Sequence, residues 1–582
     1  MPAPLACALL AAAVLVVSTL AGPGPSLSNW LGDPDDALRL ATVRDLLAGA
    51  PWFDTTLPRV GAPEPLVSHW SRLIDAPLAA SIGALSPFFG AEPAELATRM
   101  LWPVLLFLSL ALVVTHEAQR RAGPLGAVFA TILVATSAAA LAQFKPGRID
   151  HHNAQILCAV AGLIFLARSA TDRRAGWIAG MLIGLGLAIG YEAIALLLPT
   201  LAIAALAAVW QPRAGAGIAR AAAAATAVLF AALALTVAPL QWFDVRCDAL
   251  SVNLAVFAAF ATGGLWIARA GASLIGRVAV LGVGVACGGL LYAGIEPACL
   301  AGPFGQVDAA LGPIWLDHVS ETSSLLWLGA KHPAAALAAG SFVAAGVMAQ
   351  AALWRERRDP SDRLAAIVVA VAFPLALWQL KFLPYACWLA AVPIAVWAAR
   401  LNGRASLSPS IIRLAAVVLL SEATLDGAFS ALISPFRQSA IAVAEGAEPG
   451  DPRRPCFRSA NVHTLAALPL GLILADIDLG SYIVALSPHR VVAAPYHRLA
   501  KGILANQAIL SGSPSQALKQ LETLRVDYVA LCADQAGGRH ARLDGRAPLQ
   551  ARLLSGEHVD GLVELPTSSG AAIRVWKVAR GS

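Results

Sequence analysis

Asp150 and His152 stand two residues apart in the stretch Gly147-Arg148-Ile149-Asp150-His151-His152-Asn153. In an extended loop, residues i and i+2 point the same way, so a carboxylate and an imidazole face one point, as a metal chelate requires. Apolar runs flank the stretch at 124–142 and 154–166. A carboxylate, two imidazoles and a guanidinium therefore sit at the mouth of two membrane spans. Ionisable groups at that depth are costly and mark a functional site by default. The competing reading is a polar loop cap at the bilayer surface.

Three further clusters carry acid groups. Gly32-Asp33-Pro34-Asp35-Asp36 is followed by Arg39 and by Arg44-Asp45. Its crowded carboxylates repel one another unless a cation or the nearby arginines compensate; an ordinary helix N-cap is the alternative. Asp317-His318-Val319-Ser320-Glu321 lies in a loop, where a lone glutamate is usually just solvated. Asp478-Leu479-Gly480-Ser481-Tyr482 contains a common Asp-x-Gly turn.

The elements that must position these residues follow from composition. Of 582 residues, 58% are hydrophobic and 13% charged, and the mean hydropathy is +0.68. Repeated long apolar runs at that composition mean a polytopic membrane protein. The net charge of +6 does not imply nucleic acid, because Lys and Arg are dispersed between apolar runs. The runs are 5–20, 99–116, 124–142, 153–168, 175–190, 193–210, 221–240, 252–268, 278–295, 333–353, 364–380, 384–400 and 413–432. They predict about thirteen transmembrane helices over 1–432, the first uncleaved, with short turns at Tyr191 and Lys381 that allow re-entrant segments.

Alternate loops carry the basic residues: Arg120 and Arg121; Arg168, Arg173 and Arg174; Arg213 and Arg220; Arg269 and Arg277; Arg355, Arg357, Arg358 and Arg363; Arg400, Arg404 and Arg413. The positive-inside rule makes that side cytoplasmic. The other side receives a long first loop (about 21–98), the Asp150 loop, a loop at about 296–330 that holds Glu321, and everything after about 433. All four acid clusters fall on this outer face.

The tail, 433–582, reads as a small α/β domain. A helix and a strand over 478–494, a helix over 514–524, and strands at 526–531 and 571–578 alternate as such a domain requires. Cys7, Cys158, Cys287 and Cys387 lie in or beside spans as small apolar fillers. Cys247, Cys299, Cys456 and Cys532 fall outside, where disulfides form. Cys247–Cys299 and Cys456–Cys532 are candidate pairs, although spacing alone does not fix connectivity.

Taken together, the topology and motifs resemble the catalytic subunit of oligosaccharyltransferase. That family includes the eukaryotic catalytic subunit and archaeal and bacterial single-chain relatives, and belongs to the GT-C glycosyltransferase superfamily. Asp35 with Arg44-Asp45-Leu46-Leu47-Ala48-Gly49 resembles the family's first-loop aspartate and the segment after it, with Asp33-Pro34 as a competing register. Asp150-His151-His152 is similar to the archaeal second motif, whose Asp and second His bind metal. Val319-Ser320-Glu321 resembles the core of the family's Ser-Val-Ser-Glu motif. Lys381 stands where the family has an arginine that holds the lipid phosphate. One departure matters. The Trp-Trp-Asp motif that reads an acceptor sequon is replaced by Ala475-Asp476-Ile477-Asp478-Leu479-Gly480, so both indoles are missing. The resemblance implies a polytopic GT-C fold with a periplasmic α/β domain. The Ala/Arg-rich composition fits a high-GC bacterium, which places the chain in the inner membrane.

The expected chemistry is transfer of a sugar or oligosaccharide from a polyprenyl-(pyro)phosphate donor in the bilayer to a protein, lipid or glycan acceptor. Departure of the phosphate builds charge on oxygen, which a divalent cation stabilises. Asp35, Asp150, His152 and Glu321 would offer three carboxylates and one nitrogen, a set suited to Mg²⁺ or Mn²⁺. Arg148 or Lys381 would add positive charge beside the phosphate. Asp35 or Asp36 would polarise the acceptor, which Asp478 would help to bind. Glu192, and the group His489, Arg490, Tyr496, His497 and Arg498, are secondary candidates, as are His69, Trp70 and Arg72.

Two rival readings remain at this level. One is a GT-C enzyme that moves a single sugar from a polyprenyl monophosphate without metal. The other is a transporter or polysaccharide-export component. A transporter places its ionisable groups near the bilayer midplane, whereas here they gather at one interface.

Overall fold

The computed structural model describes residues 3–21, 31–212, 215–401, 408–437, 455–535, 548–566 and 571–579. Arg213 and Arg404 lie outside the described residues. Every apolar run becomes helical. Two of them share Ala91–Ala135, which breaks at Gly123 with φ 73°. The last run is split by a 64° bend into Pro409–Leu420 and Glu422–Ser434. Among the described residues, seven helices are long and apolar enough to cross a membrane, or eight if that bent pair counts as one span. The others that cover apolar runs include His152–Arg168, Ile194–Trp210 and Val252–Ala268. Each of these has 17 residues and a length of about 26 Å, just short of a ~30 Å hydrocarbon core.

The spans share an apolar core in which Trp388 packs edge-on against Phe107 and Phe144. A second core lies outside them. It joins the first-loop helix Pro34–Leu47, the helix Arg72–Phe89, the start of His152–Arg168 and the tail domain.

The tail builds a five-stranded mixed sheet in the order Arg490–Val491, Leu472–Ala475, Tyr528–Cys532, Ile573–Val578, Leu562–Glu564. The first three strands run parallel and the last two pair antiparallel. The strand and helix signals in the sequence fall on these elements within a few residues. Both candidate disulfides are present. Cys456–Cys532 ties the beginning of the tail to its central strand, and Cys247–Cys299 joins the loop before Val252–Ala268 to the one after Leu274–Ile295.

The first loop is stitched onto this domain through backbone groups. Gly61 and Ala62 donate N–H bonds to Val491 O and Val492 O at 2.9 and 3.0 Å. Arg59 donates to Val484 O and Ser487 O at 2.8 and 2.9 Å. The loop thus extends the sheet edge and satisfies the carbonyls at the end of the helix Ile477–Leu486. That helix reaches the sheet only because position 480 has no side chain. A Cβ on Gly480 would lie 2.1 Å from Ala493 O and close to its backbone neighbours, none of which can swing aside. Gly480→Ala is therefore expected to destabilise the tail by about 1–3 kcal/mol through overpacking, read as a lowered midpoint of thermal unfolding of the purified protein.

Candidate active site

The site begins with a helix N-terminus. Asp33 caps the helix Pro34–Leu47, its side chain accepting from Asp35 N and Asp36 N, while Asp36 Oδ2 accepts from Asp33 N at 3.1 Å. This reciprocal capping box is what the crowded acids do locally. It needs a glycine before it. Gly32 has φ 68°, and a Cβ there would strike Asp36 Oδ2.

The same residues reach the second motif across more than a hundred positions. Asp36 Oδ1 accepts from Ile149 N and Asp150 N at 2.6 and 3.0 Å. Arg148 forms ion pairs with Asp33, Asp150 and, at 3.2 Å, Asp36, and donates to Gln143 at 2.6 Å. Asp36 is fully enclosed, with both oxygens occupied. Arg148 is spent on three carboxylates. Neither geometry leaves these two groups facing the cavity.

Asp35 does face it. Its Oδ1 accepts from Tyr496 Oη at 2.9 Å. Ligand-capable atoms of Asp35, Asp150 and His152 lie within 4.8 Å of one another. Asp150 receives His152 N and Nδ1, each at 3.0 Å. With Nδ1 held this way, His152 Nε2 points toward Glu321, whose Oε2 is 3.6 Å away. Glu321 sits on a short turn, Ser320–Thr322, anchored where Leu380 N donates to Ser323 O at 2.8 Å. The adjoining residue is Lys381, which lines the cavity with its ammonium 5.5 Å from the Phe382 ring. The cavity is about 1090 Å³ and is also lined by Asp478 and Glu192.

Burial pushes Asp35 up to about 6, reinforced by the Asp150 and Glu321 carboxylates and opposed by His152. Burial acts on Asp150 too, but Arg148 and His152 beside it hold it well below the usual carboxylate range. Adjacent carboxylates with opposed environments are typical of a working site.

Some site neighbours had little signal in the sequence. Glu192 pairs with His151 Nε2 at 3.0 Å. Asp248 receives Arg498 Nε and Nη2 at 2.7 and 2.6 Å and His497 Nε2 at 2.6 Å, so it grips the segment next to Tyr496. Asp248 follows Cys247, a pattern too ordinary to single out. Trp70 packs edge-on against Tyr496 and under Arg39, which pairs with buried Asp75 at 2.5 Å. His489 lies apart, accepting from Gly471 N and facing Leu465 O inside the tail.

No protein-family model matches the chain, and no curated protein matches it in sequence. Solved structures do match. Against archaeal oligosaccharyltransferase AglB from Archaeoglobus fulgidus, in complex with an inhibitory peptide and a dolichol-phosphate, the TM-score is 0.65 at 14% identity, covering 99% of this chain and 74% of that one. The Archaeoglobus fulgidus enzyme tethered to an acceptor peptide containing the NVT sequon gives 0.64 at 15% identity, covering 100% and 74%. Its complex with Zn and sulfate gives 0.59 at 14% identity, covering 91% and 68%. At these identities the likeness establishes the architecture: the chain has the GT-C fold.

The two neighbouring acids should part company when neutralised. Burial pushes Asp36 up as well, but Asp36→Asn replaces an oxygen that accepts buried backbone N–H groups with an amide donor, and should cost about 3 kcal/mol. Asp35→Asn removes a charge the metal-free fold disfavours, so it should leave stability unchanged or raised at neutral pH. Because the folded protein favours protonated Asp35, this group's contribution to stability is full below about pH 4 and lost as pH rises through about 6. Thermal unfolding of both variants at neutral and mildly acidic pH checks this ordering.

Proposed function

We propose that the chain is a membrane glycosyltransferase that moves a sugar or oligosaccharide from a polyprenyl-(pyro)phosphate donor to an acceptor on the outer, periplasmic face, with a divalent cation and with inversion. The observation that carries the reading is the meeting of Asp35, Asp150 and His152 within 4.8 Å of one another, with Glu321 3.6 Å from His152, where Asp35, His152 and Glu321 line a large cavity and Asp150 is buried behind them. The donor class rests on the fold shared with the structure described as a complex with dolichol-phosphate.

The donor set fits Mg²⁺ or Mn²⁺. Hard oxygens dominate, and the single imidazole is acceptable to Mn²⁺. A bound cation would supply Lewis-acid stabilisation of the departing phosphate. The protein's own groups do the rest. Lys381 places positive charge in the same cavity, beside the Glu321 turn, where a phosphate would sit. Arg148 and Asp36 hold the two acid motifs in register rather than touch substrate. Asp35, with Tyr496 donating to one oxygen, keeps the other for the cation or the acceptor proton. The acceptor attacks the anomeric carbon from the side opposite the phosphate, whose C–O bond breaks as the new one forms. Asp478 lines the acceptor side without the indoles that would read a sequon, which leaves protein, lipid and glycan acceptors open to this site.

Asp35→Ala, Asp150→Ala and Glu321→Ala are each expected to lower transfer in membranes at least a hundredfold, while EDTA abolishes it and Mn²⁺ or Mg²⁺ restores it. Comparing glycoproteins, glycolipids and accumulated polyprenyl-linked sugars by mass spectrometry, with and without the gene, identifies donor and acceptor. Full activity in all three variants contradicts the proposal. Full activity in EDTA moves it to the metal-free, monophosphate-using reading.

A pH dependence follows from the site's electrostatics. With Asp35 pushed up to about 6, a cation must displace its proton below that pH. Mn²⁺ affinity should fall as pH drops below about 6, by up to about tenfold per pH unit on account of Asp35. Calorimetric titration of the purified protein across that range checks it, and a flat profile would count against Asp35 as a ligand.

A further inference from the structure

A second cavity lies at the other end of the helix His152–Arg168. The helix has 17 residues, so its ends are about 25 Å apart, and this cavity is on the membrane face opposite the acid site. It measures about 130 Å³ and has two kinds of wall. The inner part is apolar, made by Leu163, Val368, Val369, Leu389 and Val392 from three packed helices. The mouth is cationic, with Arg120, Arg121, Arg168 and Arg357 converging on it.

The charges at the mouth are unevenly matched. Arg120 is held by Glu117 at 2.6 Å, and Arg121 pairs with Asp362. Those pairs are within the protein and cost no further neutralisation. Arg168 has only a loose contact with Asp172, 3.3 Å away with both side chains partly exposed. Arg357 makes no ion pair among the described residues, and Asp359 is the remaining acid of the lining. Two hydroxyls, Thr171 Oγ1 and Ser361 Oγ, meet at 2.9 Å on the same rim. Underused guanidinium groups and hydroxyls over an apolar cleft, at the end of a bilayer helix, match an anion that carries a hydrocarbon chain.

We propose that this cavity binds one anionic phospholipid. Its phosphate lies against Arg168, Arg357 and the Thr171–Ser361 hydroxyls, and the head of one acyl chain enters between Leu163, Val368 and Val392. Basic pockets between spans on this kind of face select anionic lipids for the same reason. The site shares no lining residue with the cavity of the acid cluster. It would brace the helices that carry His152 and Lys381 from the far side.

Native mass spectrometry of the detergent-purified full chain, incubated with equal amounts of phosphatidylglycerol and phosphatidylcholine, tests it. The expected result is one retained phosphatidylglycerol per chain, and a roughly tenfold loss of that species in Arg168→Gln/Arg357→Gln. Those residues lie at the mouth, outside the packed core, so the variant should unfold at the same temperature as the native chain. Equal retention of both lipids, or unchanged retention in the variant, overturns the proposal. Displacement of the lipid by inorganic phosphate alone would make this a soluble-anion site and overturn it as well.

Discussion

The structure depends on one buried carboxylate. Asp36 accepts the backbone N–H groups of Ile149 and Asp150, closes its own helix cap through Asp33 N, and completes the shell of Arg148. A carboxyl group so enclosed is tolerated only when its oxygens are used. Meeting that condition forces the first outer loop onto the mouth of a membrane helix. Asp35, one residue earlier, is thereby aimed at Asp150 and His152. The catalytic geometry we propose is a by-product of satisfying a buried neighbour.

The tail domain acts as the other jaw. Its edge strand is extended by the first loop at Gly61 and Ala62, and its Tyr496 donates to Asp35. Asp248 fixes the residues next to Tyr496, and the Cys247–Cys299 disulfide lies directly beside it. Three outer segments far apart in sequence are thus coupled around one carboxylate. The Glu321 turn is the least enclosed contributor, its side chain 42% exposed and held mainly through Ser323 O. A loop held so lightly suits the proposed reaction, in which a lipid-linked donor would enter and its carrier leave.

Much of this could be read in the residues themselves. Asp150 and His152 stood out because chelation needs alternate positions, and because charge beside apolar runs is expensive. The spans were legible as hydropathy, and the tail strands as β-branched runs between turns. What could not be read were roles fixed by long-range packing. Nothing local separates Asp35, which faces the cavity, from Asp36, which is buried; the helix turn decides it, rotating successive side chains about 100° apart. Arg148 looked like a phosphate ligand until three carboxylates closed around it. Asp248 is a single acid in a loop, a pattern without specificity, and Glu192 stood out only as a secondary candidate because its partner His151 is fixed by packing. The precise number of crossings was equally out of reach, because 17-residue apolar helices lie at the limit of what a bilayer requires.

The central claim is that distant acids and one imidazole converge into a cation pocket. Pulsed electron paramagnetic resonance of Mn²⁺ added to the purified chain addresses it directly. The account predicts one tightly held ion whose spectrum carries the nuclear modulation of a coordinated histidine nitrogen, and loss of that modulation in His152→Gln. A tightly held ion with no nitrogen coupling, or no tightly held ion at all, would contradict it.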